Sequence, residues 1–200
     1  LDDIASRSSE TMVVLTGGEP LLRGDLEELV AHGAGRGLAI VVGTNGVALS
    51  ERRVQSLKAA GALGAGISVD SLDPERHDAF RGLAGAWEKT MQGIEACKRH
   101  GLPFQIHFSV TESNAGEVPA MIDFARAELA KEGIDVEIVD LRTLRPLDME
   151  PVLESFKKTN RAIVVEEGWK SYGVGSEVVS RMYEEAFDYV DAPIVRVAQK

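Results

Sequence analysis

The sequence predicts an α/β protein built from repeated strand–helix units. Short runs rich in β-branched residues alternate with longer segments whose apolar residues recur at helical spacing. The predicted strands lie roughly 25 to 40 residues apart, a separation that suits parallel strands joined by helical crossovers. We therefore expect seven mostly parallel strands in βα repeats. They form either a part-barrel or an open doubly wound sheet with three layers.

The first half of the chain holds four predicted strands, each followed by a helix. The strands are residues 12–15, 38–42, 63–69 and 104–110. Residues 1–10 form a short helix or its frayed end, and the later helices begin near Asp25, Ser50, Asp73 and Trp87. Asp25 and Ser50 stand where an N-cap side chain is expected. Gly64 and Gly66 indicate a bend or close backbone packing in the third strand.

The second half continues the alternation. A helix runs from about Pro119, where proline is tolerated in a first turn, to Gly133. The remaining predicted strands are residues 136–141, 162–165 and 194–197, and the helices between them are residues 149–158 and 176–189. We favour a single merged domain with one seven-stranded layer.

Composition and charge exclude several classes of function. The chain has 200 residues, of which 44% are hydrophobic and 27% charged, as in ordinary globular proteins. Its net charge of −10 argues against binding to nucleic acid or to an anionic membrane surface. No apolar run approaches the ~20 residues that span a bilayer, and no signal peptide is evident. One cysteine, Cys97, cannot form an internal disulfide, so we expect a cytoplasmic protein.

Polar side chains collect where the predicted strands end. They are Glu19, Asn45, Ser68, Asp70, His107 and Ser109. The carboxyl ends of parallel strands meet at one edge of a sheet, where α/β proteins place their sites. Gly17 and Gly18 would let the backbone approach a ligand closely, and the carboxylate of Glu19 suits an ammonium group of a ligand or of a lysine.

Strand 104–110 alternates apolar residues with the polar Gln105, His107 and Ser109, so its polar side faced a cavity in this interpretation. Alternatively, these three side chains only hydrogen-bond one another or water, and we favour that alternative. His32, His77 and His100 fall on helices, where we expect them to be exposed. Their spacing matches no metal pair, so no metal site is predicted. Cys97 is interpreted as a half-buried helical residue.

Four segments in residues 1–127 carry a family resemblance. They are residues 15–22 (LTGGEPLL), 43–46 (GTNG), 67–71 (ISVDS) and 107–111 (HFSVT). They resemble the barrel core of radical S-adenosylmethionine (SAM) enzymes that act on peptides or haem precursors. The resemblance implies that Gly17, Gly18 and Glu19 hold the amino group of SAM. It also implies that Asn45, Ser68 and Asp70 contact SAM or line its pocket.

The chain departs from this family in its cysteines. The family ligates a [4Fe–4S] cluster with a CxxxCxxC loop that precedes the Gly-Gly-Glu strand, whereas Cys97 is the sole cysteine here. One thiolate cannot hold a four-iron cluster. We therefore expect no cluster, no bound cofactor, no catalytic residue and no radical chemistry.

Residues 128–200 resemble a second family, the transketolase C-terminal family, in the form found in the pyruvate dehydrogenase β subunit. The segments that carry this resemblance are residues 129–134, 140–148, 165–169, 172–175 and 184–189. The thiamine-binding Gly-Asp-Gly motif is not in the sequence, so we expect no thiamine diphosphate. The resemblance implies a role in subunit contacts and in docking an acyltransferase.

The second resemblance suggests an interaction surface. The candidate docking acids are Glu166, Glu167, Asp188 and Asp191, although a solvated acidic face is the interpretation we favour. Trp169 and Tyr172, next to flexible glycines, are the predicted exposed aromatic contact.

Together the resemblances indicate a chimera, and the change of family inside one helix suggests an engineered one. Our leading hypothesis is a non-catalytic α/β scaffold that requires no partner. The alternatives are residual binding of SAM or an anionic ligand at the strand ends, and a module for homodimerisation or subunit docking.

Overall fold

The structure, a computed structural model, describes residues 1–7, 11–131, 133–141 and 143–199. The side chains of Glu167 and Gln199 lie outside this described part. The chain divides into two compact units, Leu1–Ala125 and Arg126–Lys200. No helix in the described ranges is long and apolar enough to cross a bilayer.

The first unit is built on a parallel sheet. Its strands are β1 (Met12–Leu15), β2 (Ala39–Thr44), β3 (Gly64–Ser68) and β4 (Phe104–His107), and they pair in that order. Its helices are α1 (Asp2–Arg7), α2 (Leu26–Gly35), α3 (Glu51–Ala59), α4 (Pro74–Arg81) and α5 (Ala86–His100). Two short 3-10 helices, Pro20–Leu22 and Ala115–Glu117, lie among them. The helix α6 (Val118–Ala130) begins in this unit and ends in the second.

The two predicted N-cap residues, Ser50 and Asp25, differ in how their side chains bond. The Ser50 hydroxyl accepts the amide of Arg53 at 3.3 Å, and Asp73 caps α4 in the same way. Asp25 is the N-cap residue of α2, as predicted, but its side chain makes no capping hydrogen bond. Its carboxylate instead binds the guanidinium of Arg23 at 2.7 and 2.9 Å. A charged partner two residues away outcompetes a backbone amide for the same oxygens.

One face of the sheet carries the core of the first unit. The buried core side chains of the sheet and of the helices α2, α3 and α5 are Ile40, Val42, Ala65, Ile67, Leu26, Val30, Val54, Leu57, Ile94, Ala96 and Cys97. Because successive residues of a strand face opposite sides, the other face holds the alternate residues. Met12 and Val14 are 60% and 49% exposed on β1, and Gln105 and His107 are exposed on β4. The predicted polar side of strand 104–110 is confirmed, although β4 ends at His107.

The second unit is smaller. Its strands β5 (Ile163–Trp169) and β6 (Val195–Gln199) form a parallel pair, and its helices are α7 (Glu150–Thr159) and α8 (Val174–Ala186). A 3-10 helix, Phe187–Tyr189, follows α8. The buried core consists of Met149, Phe156, Val178, Met182 and Ala186.

The α/β class with parallel strands is confirmed, but the strands of the described part number six and form two sheets. The predicted single layer therefore differs from the structure, since β5 pairs with β6 and with no other strand of the described residues. Residues 136–141, predicted as a strand, adopt no strand in the structure. Their carbonyls find other donors; the Arg126 guanidinium, for example, donates to the Val136 carbonyl at 3.0 Å. Alternating hydrophobicity predicts a strand face but cannot supply the neighbouring strand that completes it.

Candidate functional site

The carboxyl ends of β1 to β4 lie at one edge of the first sheet because all four strands are parallel. The loop after β1 is open there. Gly17 and Gly18 have φ angles of +98° and +48°, a left-handed conformation that favours glycine. No atom lies within 4 Å of the position that a Cβ would take at either residue. The backbone of this loop is therefore accessible to a ligand.

Glu19 joins the ends of β1 and β2. Its Oε1 accepts the Thr44 hydroxyl at 2.6 Å and the Leu21 amide at 3.1 Å. Its Oε2 accepts the Asn45 amide at 2.8 Å. A carboxylate has about four acceptor positions, so three donors of the chain already use most of them. The carboxylate is fixed in place, with one lone pair left for an ammonium group.

The turn after β2 is fixed from several sides. The Thr44 hydroxyl accepts the Gly46 amide at 3.0 Å, and the Asn45 side-chain oxygen accepts the Val47 amide at 3.0 Å. The Thr90 hydroxyl of α5 donates to the Asn45 carbonyl at 2.9 Å. Gly46 has a φ of +80°, and a Cβ there would lie 2.9 Å from Thr90. The half-buried Asn45 amide is thus held at the strand edge next to Glu19.

Asp70 lies just past β3 but is not open to solvent. Its side chain is fully buried and forms an ion pair with Arg81 at the end of α4. The Asp70 amide donates to Nδ1 of His77 at 3.3 Å. Asp70 therefore holds α4 against the sheet, and its carboxylate is committed to a guanidinium within the chain.

His77 is buried, which contradicts its predicted exposure on a helical segment. Burial lowers its pKa below the ordinary value of 6.5, and the nearby Arg81 charge lowers the pKa further. The ring is neutral near pH 7, and Nδ1 is then the acceptor for the Asp70 amide. Nε2 finds no hydrogen-bond partner within the described residues. Of the other two helical histidines, His32 is exposed and His100 is partly buried.

A second polar network lies beside Asp70. The Ser71 hydroxyl donates to Glu117 at 2.6 Å, and the Leu72 amide donates to the same oxygen at 3.2 Å. The Ser71 hydrogen bond, aided by Arg76, lowers the pKa of Glu117. The Asn114 amide donates to the Asp70 carbonyl at 3.0 Å. These bonds fix the loops after β3 and β4.

His107 and Ser68 are paired across β4 and β3, on the open face of the sheet. The His107 ring lies against Gly66, where a Cβ would come within 2.5 Å of the imidazole Cε1. The Gln105 amide lies 2.8 Å from Nε2 of His107. The favoured interpretation, a hydrogen bond between neighbouring polar side chains of this strand, therefore describes His107 and Gln105. Gly66 allows the close packing that its position predicted.

The strand ends thus divide into two groups. Gly17, Gly18, Glu19 and Asn45 meet through the Glu19 hydrogen bonds, and Ser68 and His107 share the open face. Asp70 belongs to neither, since it is buried. Sequence analysis missed Thr44, His77, Arg81 and Glu117. The four-residue spacing of His77 and Arg81 on one helix was a usable signal, whereas Glu117 lies 46 residues from its partner Ser71.

The described residues do not fit a four-iron cluster. Cys97, near the end of α5, is completely buried, which raises the pKa of its thiol to about 11. Helices of βα units run back across the sheet, so this end of α5 lies near the start of β4, where the Leu102 amide donates to the Cys97 carbonyl. The thiol is therefore far from the strand ends. In the described ranges, no group of three His, Cys, Asp or Glu side chains could hold a metal ion.

The predicted interaction residues of the second unit differ from one another. Glu166 accepts Arg196 at 2.6 Å and the Gly175 amide at 2.9 Å, and Arg196 lowers its pKa. Both side chains of this ion pair are 15% exposed, so Glu166 serves the fold. Trp169 is 67% exposed and Tyr172 is fully exposed. The Glu167 side chain lies outside the described residues.

Two families match this chain. The radical SAM superfamily matches residues 2–125, and the C-terminal domain of transketolase matches residues 116–200. The two matches overlap at residues 116–125, and this overlap includes the start of α6.

Similar proteins fall into the same two groups. An AdoMet-dependent heme synthase of Methanosarcina barkeri is 38% identical over 126 residues, which cover 63% of this chain and 36% of that protein. A pyruvate dehydrogenase E1 component subunit beta of Rhizobium meliloti is 55% identical over 76 residues, or 38% of this chain and 16% of that protein. The chain therefore spans about a third or less of the length of these relatives.

A solved domain of the pyruvate-formate lyase-activating enzyme of Bacteroides vulgatus has a TM-score of 0.49 and 14% identity. The match covers 95% of this chain and 99% of that domain. By its sequence the chain belongs to the radical SAM superfamily over residues 2–125, and its residues 116–200 match the C-terminal domain of transketolase.

Proposed function

We propose that this chain of 200 residues is a non-catalytic α/β scaffold, in which a radical SAM segment and a transketolase C-terminal segment are joined. The observation that carries the proposal is the state of Cys97. The sole thiol is buried, its pKa is about 11, and it lies near the start of β4, away from the strand ends. A thiolate must be formed and accessible to ligate iron.

The join itself supports an engineered origin. Both family matches include residues 116–125, so the change of family falls where this chain begins the helix α6. A join inside a shared helix keeps the helical hydrogen bonds of both fragments. We also assign the protein to the cytoplasm, because one buried thiol suits a reducing compartment.

Measurements of iron binding and SAM cleavage test whether the chain is non-catalytic. The chain is incubated anaerobically with iron and sulfide, and bound iron, visible absorbance and SAM cleavage are measured beside Cys97→Ser. We expect the two proteins to behave alike, with no stoichiometric iron and no cleavage. Stoichiometric iron in the parent chain alone, or SAM cleavage above the variant, would overturn the proposal.

Residual binding of SAM or an anionic ligand at the strand ends is our second candidate. The open Gly17–Gly18 loop, the fixed Glu19 carboxylate and the half-buried Asn45 favour it. The loop offers backbone groups, and Glu19 retains one lone pair for an ammonium group. Asp70 is not among the proposed ligand contacts, because its carboxylate is ion-paired with Arg81.

Titration calorimetry with SAM and with inorganic phosphate tests this candidate. Glu19→Gln keeps an acceptor but removes the charge, and Glu88→Gln is the matched control on the exposed side of α5. We expect weak SAM binding that Glu19→Gln abolishes and Glu88→Gln preserves. If SAM gives no heat at millimolar concentration, or if Glu19→Gln binds as the parent does, the site is not a ligand site. Binding of phosphate alone would limit it to anions.

A further inference from the structure

The second unit has a sheet with one bare face. Ile163 pairs with Val195, and Val165 pairs with Val197. Alternate residues of a strand share a face, so these four side chains lie together. They are 67%, 52%, 73% and 53% exposed, in the order named. Val164 points to the opposite side, where it packs against the core of the unit.

This bare face, formed by Ile163, Val165, Val195 and Val197, is unusual for a folded chain. All four side chains are aliphatic, and Trp169, 67% exposed, lies beyond Val165 at the carboxyl end of β5. Together they present on the order of 500 Å² of apolar surface, near the upper end of what monomers expose. Among the described residues of the second unit, helices cover one side of the two-stranded sheet only, whereas parallel α/β sheets carry helices on both sides.

We propose that two copies of this chain associate through the bare face, sheet against sheet. A stable dimer removes about 800 Å² per partner from water. The bare face with Trp169 can supply most of that area, and the polar residues around it can supply the rim. A two-fold axis brings the same patch of each copy together. A flat aliphatic face fits its own copy without leaving a charge unpaired.

Charge makes the proposal more specific. None of the four described side chains that define the bare face is ionisable, while each chain has a net charge of −10. Two copies therefore repel each other at long range and attract only at the apolar contact. Added salt should strengthen such a dimer, whereas docking of a basic partner on acidic residues weakens with salt.

Sedimentation equilibrium of the full chain across micromolar concentrations, at low and high sodium chloride, tests the dimer. We expect a dimer whose dissociation constant stays constant or falls as salt rises. Val165→Lys should raise the dissociation constant by at least about tenfold, because it places an unpaired charge in an apolar contact. Val110→Lys is the matched control, since Val110 is 59% exposed in the first unit and the charge change is the same.

A second variant guards against misfolding. Val197→Thr keeps the shape of the side chain but makes the bare face more polar, so it should weaken the dimer severalfold and leave the circular dichroism spectrum unchanged. A monomer at every concentration would overturn the proposal. So would Val165→Lys and Val197→Thr proteins as dimeric as the parent, a dimer that dissociates in salt, or an equal loss in Val110→Lys. None of these results depends on the iron or SAM experiments.

Discussion

Both units consist of strands alternating with helices, but their hydrophobic cores differ in size. In the described part of the chain, eighteen apolar side chains are buried in the core of the first unit and five in that of the second. The first sheet has four strands, and its central strands β2 and β3 have partners on both sides. The second has two strands, each with a single partner. Two-stranded sheets are marginal without further packing.

This difference shows that similarity of sequence to a known domain does not ensure a core of stabilising size. The carboxyl-terminal part of the chain is 55% identical over 76 residues to the Rhizobium meliloti subunit, yet the described residues of the second unit bury few side chains. Apolar surface that a second helical layer would cover stays exposed, as at Val165. We therefore expect the first unit to be the more stable of the two.

The largest effect is expected from Phe156→Ala. Phe156 is the largest side chain in the core of the second unit and is 2% exposed. Its truncation should cost about 3–5 kcal/mol, which approaches the whole stability of so small a unit. Calorimetry should then lose the lower of two transitions and keep the upper one. Ile67→Ala, in the other core, should move only the upper transition; two transitions that shift together would contradict independent cores.

A smaller effect is expected from Arg196→Met, which leaves the Glu166 carboxylate with only the Gly175 amide. The matched control is Arg181→Met, which breaks an exposed pair with Glu185 on α8. Exposed pairs of this kind contribute little to stability. The melting temperature of the second unit should fall in the first variant and stay nearly constant in the second. Equal shifts would mean that Glu166 does not fix the start of α8.

Gly18→Ala should cost the first unit about 1–2 kcal/mol, because φ is +48° and an L side chain is strained there. Gly24→Ala is the control, since Gly24 has no positive φ and its Cβ position is also open. Chemical denaturation should show a lower free energy of unfolding of the first unit in Gly18→Ala but not in Gly24→Ala. The stability of the second unit should be unchanged in both variants. If both substitutions are neutral, the loop after β1 is not held in the left-handed conformation.

The smallest effect is a pH dependence confined to the first unit. All four histidines lie before residue 126. The pKa of His77 is lowered by burial, so the unfolded chain takes up a proton below pH 6.5 while the folded chain does not. Stability of the first unit should therefore fall as pH drops from 6.5 towards the folded pKa.

His77→Asn keeps an acceptor for the Asp70 amide and should flatten that dependence, which thermal melts at pH 7 and 5.5 would show. The second unit should respond only at lower pH. Arg196 lowers the pKa of Glu166, so that contribution to stability is lost as pH falls below 4.5 towards the folded pKa. A fall in both units between pH 7 and 5.5 would contradict the assignment.

Local signals were predictable wherever neighbouring residues decide the structure. Ser50 caps α3 as expected, and α5 ends at Gly101, whose φ is +62°. The alternation in β4 matches its burial, since Gln105 and His107 are exposed and Phe104 and Ile106 are partly buried. Each of these features depends on residues that are close in sequence, so a short sequence pattern is enough to predict it.

Features that depend on distant partners were not predictable in this way. The burial of His77 follows from how α4 packs, and the Asp70 ion pair with Arg81 follows from the same packing. Residues 136–141 have the alternation of a strand but no adjacent strand to pair with in the described part. The roles of Gly17, Gly18 and Glu19 in binding, and of Trp169 and Tyr172 in contacts, stay predictions.

The helix α6 has a practical consequence for dissecting this protein. The division between Ala125 and Arg126 falls inside α6 (Val118–Ala130). A fragment that ended there would leave amides and carbonyls of the helix without their intrahelical hydrogen bonds. Fragments meant to be studied alone should instead end within residues 133–141, after the last helical turn. An expression clone of the amino-terminal piece would then carry the whole of α6 as its closing element.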